Sequence, residues 1–257
     1  MRLLTLARDL QRRKGRERRS LFVAEGVRAV EEVVRSAVRI RGAISSPDLE
    51  ETARGRALLP GLRNRADEVL RVTAAELETA AGTESPQGVI AIAEIPEQSL
   101  DDVTPGDGVR LLVLDGVQDP GNAGTIVRTA AAFGADAVVA LPGTVDLWNA
   151  KVVRGAMGAH LRMAVVQCGA EDLFAWLERE RVELWIADAA GDPLHAVRAP
   201  SRLAIVLGNE GSGASAPVRM RADRSVGLPL AAGVESLNVA VAAGILLYAL
   251  DARRELV

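Results

Sequence analysis

A chain of 257 residues, 49% hydrophobic and 25% charged, has the composition of an ordinary globular protein with room for one or two domains. Its one cysteine, Cys168, excludes an internal disulfide, and with only His160 and His195 beside it there is no ligand set for structural zinc, so no metal is expected and a reducing cytoplasm fits. Aromatic residues at 3% leave Val, Leu, Ile and Ala to fill the core, a vocabulary suited to helices packed on a mostly parallel sheet.

Taken from its start, the chain is basic but runs into more charge rather than into an apolar stretch, so it does not read as a signal peptide. Residues 1–41 hold 12 Arg and Lys against 5 Asp and Glu, whereas the remainder holds 19 against 29. Arg12, Arg13, Lys14, Arg16, Arg18 and Arg19 form a run that suits a phosphate backbone or, equally, a solvated basic helix face. FVAEGVRAVEEVV then predicts a strand end and an amphipathic helix, and RGAISS and QGVIAIAEI predict strands, which together make a small α/β domain. The polar stretch from Glu97 to Gly108 holds Pro105 and two glycines and reads as an interdomain linker.

Beyond it the alternation is clearer. RLLVLD is a strand, Asn122 to Phe133 a helix closed by Gly134, and DAVVAL a strand. A helix near Trp148 to Met157, a strand at MAVVQC, a helix from Glu171 to Glu180 and strands at VELWIAD, LAIVLG and SVGLPL follow, before a last helix that Ser236 is placed to cap. Strands apolar on both faces and alternating with helices predict a buried parallel sheet. The most apolar helix, Val239 to Leu250, is shorter than the roughly 20 residues that span a bilayer, so no membrane segment is expected.

In open α/β sheets ligands bind beyond the carboxyl ends of strands, and three glycine-bearing stretches fall there. LDGVQDPGNAGTIVR, residues 114–128, lacks the Lys and Ser or Thr of a phosphate loop and the G-x-G-x-x-G of dinucleotide folds. Within it Asn122 is placed to cap the helix, and Gly124 leaves space beside Arg128, four residues on, which suits a phosphate clamp or a surface salt bridge. In LAIVLGNEGSG, residues 203–213, Gly208, Gly211 and Gly213 surround Glu210 and let backbone approach a ligand or simply turn. LPLAAGVESLNVAVAAGILLYAL, residues 228–250, ends in a helix apolar nearly all round, which must bury itself against sheet, partner subunit or both.

Together and in this order, N-x-G-x-x-x-R, L-G-N-E-G-x-G and S-L-N-V resemble the motifs of the SpoU (TrmH-like) branch of the SPOUT methyltransferases, which methylate ribose 2′-oxygens in tRNA and rRNA. The resemblance covers about residues 110–250, and more loosely the first segment resembles the family's RNA-binding N-terminal domain. It implies a substrate-binding domain over 1–96, a linker over 97–108 and a methyltransferase domain over 109–257, whose parallel sheet is closed by a deep trefoil knot. S-adenosylmethionine is the implied cofactor, held by Leu141, Gly143, Gly208, Leu228, Ser236 and Leu237. The position matching Arg128 is the one to which the family assigns phosphate binding and activation of the hydroxyl, although a guanidinium is effectively never deprotonated and is better suited to positioning. Asn122, Glu210, Ser236 and Asn238 complete the polar site. Asn149, Lys151 and Arg154 match positions that contact RNA or a partner subunit, and the family implies a homodimer.

The family has Pro where this chain has Ala164, a departure of local geometry only. His160 is expected to be structural, His195 sits in a polar loop without a motif, and Cys168 reads as an inert buried residue. The N-terminal domain and its basic start favour rRNA over tRNA as substrate. A tRNA enzyme of the same family, or a homologue that binds RNA without catalysis, is the alternative.

Overall fold

The computed structural model describes residues 3–83 and 86–250. By its internal contacts the chain forms two compact units, one from residues up to Glu97 together with Asp146–Leu161, the other from Gln98–Val145 together with residues from Arg162 onward.

The first unit runs α1 (Leu3–Leu10), α2 (Arg13–Arg19), β1 (Leu21–Glu25), α3 (Val27–Arg35), β2 (Ile40–Ser45), α4 (Ala53–Arg65), β3 (Val69–Arg71), α5 (Ala74–Glu78) and β4 (Val89–Glu94). Its sheet has the order β1-β4-β2-β3 and is mixed, with β4 antiparallel to both neighbours and β3 parallel to β2. Leu3, Ala7 and Leu10 of α1 bury one face against Val23, Ile44, Ile90 and Ile92 of the strands, the burial that makes a short helix stable. Helix α4 continues through Pro60, which lies on its exposed side.

The second unit runs β5 (Val109–Asp115), α6 (Pro120–Ala132) and β6 (Ala137–Ala140). After α7 (Ala150–Ala156), which groups with the first unit, come β7 (Ala164–Gln167), α8 (Ala170–Glu180), β8 (Glu183–Pro193), β9 (Arg202–Gly208), α9 (Ala216–Arg221), β10 (Arg224–Gly227) and α10 (Val239–Ala249). Every pairing in its six-stranded sheet, order β10-β8-β9-β5-β6-β7, is parallel. The central strands β5 and β9 are buried on both faces, as their unbroken Leu, Val and Ile runs require. From Gln98 onward the stretch read as a linker belongs to this unit, and Leu100 and Val103 enter its core.

Two helix starts differ from expectation. Helix α6 begins at Pro120, and its cap is Asp119, whose side chain accepts from the Asn122 amide at 2.7 Å. A proline at the first helical position after an aspartate satisfies both the fixed φ and the orphan amides, and it releases the Asn122 side chain for other work. Helix α10 is capped by Asn238 rather than Ser236, with Oδ1 accepting from the amides of Ala240 and Val241. Among the described residues no helix is long and apolar enough to cross a membrane.

Candidate active site

Asp115 and Gly208 are partners in the register of β5 and β9, so the first two glycine-bearing stretches leave the sheet side by side. Gly116 takes φ +78°, a left-handed turn that glycine adopts without cost, and its carbonyl accepts from Asn209 Nδ2 at 2.8 Å. Asn209 Oδ1 accepts in turn from the amides of Gly211 and Ser212, so one side chain both shapes the second loop and ties it to the first. The sequence reading passed over Asn209. The offset of two and three residues from Asn to the amides that it binds is the signal of an Asx turn. Glycine at 208 has a reason beyond access for a ligand: a Cβ there would lie 2.3 Å from the backbone of Gly213 and Ala214.

The three stretches meet through Asn122, Glu210 and Asn238. Asn122 Nδ2 donates to Glu210 Oε1 at 3.1 Å, and Asn238 Nδ2 donates to Asn122 Oδ1 at 2.9 Å. Chemistry fixes the direction of this chain. An ionised carboxylate only accepts, so Asn122 must offer Glu210 its amino group and Asn238 its oxygen. Asn238 spends its own oxygen on the α10 cap, which leaves its amino group to meet that oxygen. Burial works to raise the Glu210 pKa, but its own backbone amide, the Asn122 side chain and the amides of Gln118 and Asp119 outweigh it and hold the carboxyl below its usual range. Glu210 is therefore an anionic anchor and a weak base.

Behind this junction lies a cavity of about 440 Å³, of the size that encloses a small-molecule ligand. Of the residues expected to hold a cofactor, Gly208, Leu228, Ser236 and Leu237 line it, whereas Leu141 and Gly143 do not. Leu141 is 3% exposed and packs in the core, and Gly143 lies against Gly116. Its apolar wall is extended by Val226, Leu230 and Leu246, and its polar groups include Glu210, Asn238 and Asp188. Asp188, which the sequence reading missed, is held below its usual pKa by the Ala190 amide and by Arg219, whose guanidinium lies 2.8 Å away. Leucine walls with two carboxylates suit a ligand that has a ring and a cationic centre. Arg128 is exposed on α6, outside the residues that line this cavity.

Among the basic residues, Arg12, Arg13, Lys14, Lys151 and Arg154 are exposed. Arg16 is a correction: it is 3% exposed, with Nε 2.7 Å from Asp146 Oδ2 and Nη1 donating to the Leu10 carbonyl, so its charge is consumed inside the first unit. Arg18 and Arg19 both pair with Asp9. His160 is buried, bonded through Nε2 to the Leu147 carbonyl, and desolvation lowers its pKa to about 4 against the opposing pull of Leu147 and Asp146, which fits a structural role. Burial, with Asp172 nearby, pushes the Cys168 thiol up to about 11, too high for a nucleophile. Among the described residues no cluster of His, Cys, Asp or Glu could hold a metal ion.

The sequence model of the SpoU rRNA Methylase family matches residues 110–248, and that of the MRM3-like substrate binding domain matches residues 5–91. The chain is 32% identical over 242 residues to the 23S rRNA (guanosine(2553)-2′-O)-methyltransferase RlmP of Bacillus subtilis, covering 94% of this chain and 92% of the relative. It is 36% identical to the 23S rRNA (guanosine-2′-O-)-methyltransferase RlmB of Xylella fastidiosa, over 82% of this chain and 84% of that one. Among solved structures, the SpoU methyltransferase AviRb from Streptomyces viridochromogenes in complex with AdoMet superposes with a TM-score of 0.90 at 26% identity, covering 100% of this chain and 99% of its own. An AdoMet-bound rRNA methyltransferase from Sinorhizobium meliloti gives 0.85 at 28%, covering 99% and 95%. A parallel sheet with these three motif-bearing strand ends is the fold of the SPOUT methyltransferases, and the chain belongs to the SpoU rRNA methylase family.

Proposed function

We propose that this chain transfers a methyl group from S-adenosylmethionine to a ribose 2′-hydroxyl of 23S-type rRNA, within a cytoplasmic homodimer. The observation that carries the reading is the directed hydrogen-bond chain Asn238 to Asn122 to Glu210, which draws three distant motifs together at a cavity lined by Gly208, Leu228 and Leu237. The cofactor supplies an electrophilic methyl on a sulfonium. Leu228, Leu237 and the Gly208 backbone would enclose its ring and ribose, and the Asp188 and Glu210 carboxylates favour its positive charge. Leu141 and Gly143 stay in the reading as supports of the neighbouring turn, and Ser236 as a polar group on the cavity wall.

Transfer forms a carbon–oxygen bond, breaks a carbon–sulfur bond and releases the hydroxyl proton, so its demand is alignment. Arg128 is the residue that would bind the phosphate beside the target ribose and set that line, while Asn122 and Asn238 fix the shape of the site. With its carboxyl held below the usual range, Glu210 suits an anchor better than a base. Residues 1–96 and the exposed Arg12, Arg13, Lys14, Lys151 and Arg154 would hold structured RNA. Passage of the C-terminal chain through a trefoil knot is supported by the sheet order, in which β9 lies between β5 and β8, and by the return of the chain after β10 to line a cavity with the end of β9 and the middle of β8.

Dimerisation is supported by α10, which leaves Val241, Ile245 and Tyr248 52%, 41% and 55% exposed on one stripe. A dimer by light scattering that a Val241→Lys, Ile245→Lys double change converts to monomer is the expected outcome. Incubation with tritiated S-adenosylmethionine and separated RNA pools tests the substrate: label belongs in 23S rRNA, and label confined to tRNA would refute that choice.

A further inference from the structure

Strand β8 breaks register with β10 halfway along its length. Ser225 pairs with Ile186 but its neighbour Val226 pairs with Asp192, so residues 187–191 bulge out without partners on β10, and the pairing of β8 with β9 also ends at Ile186. The bulge and β10 fit closely. A Cβ on Gly191 would lie 2.6 Å from the backbone of Ser225 and Val226, and one on Gly227 would lie 2.9 Å from the Asp188 carbonyl and 3.1 Å from that of Ala189. Ala187, Asp188 and Ala189 of the bulge line the 440 Å³ cavity, as do Gly208, Glu210 and Gly213 of the second glycine-bearing stretch. A segment outside the ladder has given up its bonds to neighbouring strands, so other groups must hold it in place as a cavity wall. Asp188 Oδ1 accepts from the Ala190 amide at 3.0 Å, within the bulge, and Oδ2 accepts from Arg219 Nη1 at 2.8 Å. Arg219 stands on α9, and its Nε donates to the Ala214 carbonyl at 2.9 Å. One guanidinium therefore spans the bulge and the loop after β9. Gly213 makes room for it, since a Cβ there would lie 2.6 Å from Arg219 Nη2.

We propose that Arg219 is a positioning residue for the cofactor, latching the β8 bulge to the loop after β9 so that Asp188 and Gly213 stay in place as walls of one pocket. Arginine suits the task because its rigid fork offers separate N–H groups to two acceptors, whereas the single ammonium of lysine cannot hold both in that geometry. The side chain is 46% exposed and lies outside the residues that line the cavity, so its contribution to global stability is small and its effect falls on the wall. Without the latch the bulge spends part of its time displaced, and the apparent Kd rises in proportion to the lost fraction of competent protein. The inference rests on the reading of this cavity as the S-adenosylmethionine pocket and adds to it a residue that lies outside the three motifs.

The test is calorimetric titration of wild type, Arg219→Ala, Asp188→Ala and the double variant with S-adenosylhomocysteine, the demethylated cofactor. This probe carries no sulfonium charge, so loss of a cation near Asp188 does not tighten its binding and mask a loosened wall. Arg219→Ala should raise Kd about two- to fivefold, the range to which an exposed ion pair converts. The double variant should lose no more than Asp188→Ala alone, because both changes break the same latch. In methyl transfer the loss should appear as a higher KM for S-adenosylmethionine, with kcat changing less. An Arg219→Ala Kd within twofold of wild type, losses that multiply in the double variant, or a fall in kcat without a rise in KM would each overturn the latch. Should Arg219→Ala fail to fold, Arg219→Lys carries the test: a higher Kd supports the proposal and wild-type affinity overturns it. If the wild-type protein does not bind S-adenosylhomocysteine, the cofactor reading falls and the latch with it.

Discussion

Asn238 carries two duties that substitution can separate. Its Oδ1 caps α10 through the amides of Ala240 and Val241, and its Nδ2 orients Asn122 toward Glu210. Alanine removes both. Loss of an N-cap costs about 1 kcal/mol, which for a chain of this length lowers Tm by about 2–4 °C. Aspartate keeps a capping oxygen and adds negative charge at the positive end of the helix, so Asn238→Asp should melt at or slightly above the wild-type temperature. It also sets an oxygen against Asn122 Oδ1, at a position now 2.9 Å away. Asn122 must then keep a repulsive contact or flip and turn its oxygen on Glu210. Either route sacrifices a hydrogen bond in the site, and because Glu210 and Asn238 are exposed and Asn122 is only half-buried the lower end of the range for a charged hydrogen bond applies, about 1.5 kcal/mol, or about tenfold in kcat/KM. The assay is methyl transfer to rRNA alongside thermal melting of wild type, Asn238→Ala and Asn238→Asp. An Asn238→Asp enzyme with wild-type activity refutes the directed chain, and one that melts as low as Asn238→Ala refutes the division of labour.

Three further outcomes follow from the same structure. Gly208→Ala places a Cβ 2.3 Å from backbone, so overpacking should lower stability by about 1–3 kcal/mol, read as a drop in Tm even without cofactor. Arg16→Ala leaves the partly buried Asp146 without its cationic partner and should cost about 3 kcal/mol in denaturant unfolding, the low end for a buried pair, whereas Arg12→Ala should leave stability unchanged and reduce the salt dependence of RNA binding. His160, with a folded pKa near 4 against an ordinary 6.5, binds a proton more readily when unfolded. Its stabilising effect is therefore complete above pH 6.5 and declines as pH falls toward 4, and His160→Asn should flatten the pH dependence of unfolding over that window.

The parallel sheet was legible because its strands advertise themselves: LAIVLG and RLLVLD are apolar on both faces, and β9 and β5 fall on them to within a residue. The caps were less so. Asn122 and Ser236 are sound candidates by residue type, yet Asp119 before Pro120 and Asn238 beside the apolar run outcompete them, and the Asp-Pro step was a local signal that could have decided the first case. The family motifs located the three site segments, but the sense of their hydrogen bonds depends on pairings 88 and 116 residues apart, which no periodicity reports. Long range also explains Arg16. Within a basic run nothing distinguishes it from its neighbours, and its burial is set by Asp146, 130 residues away.

The most direct test is mass-spectrometric mapping of ribose methylation in 23S rRNA after reaction with the wild-type protein and with Arg128→Ala, both saturated with S-adenosylmethionine. The account predicts a single new 2′-O-methylated nucleotide with wild type and none with the variant. Methylation on a base, no methylation, or equal methylation by both proteins would contradict it.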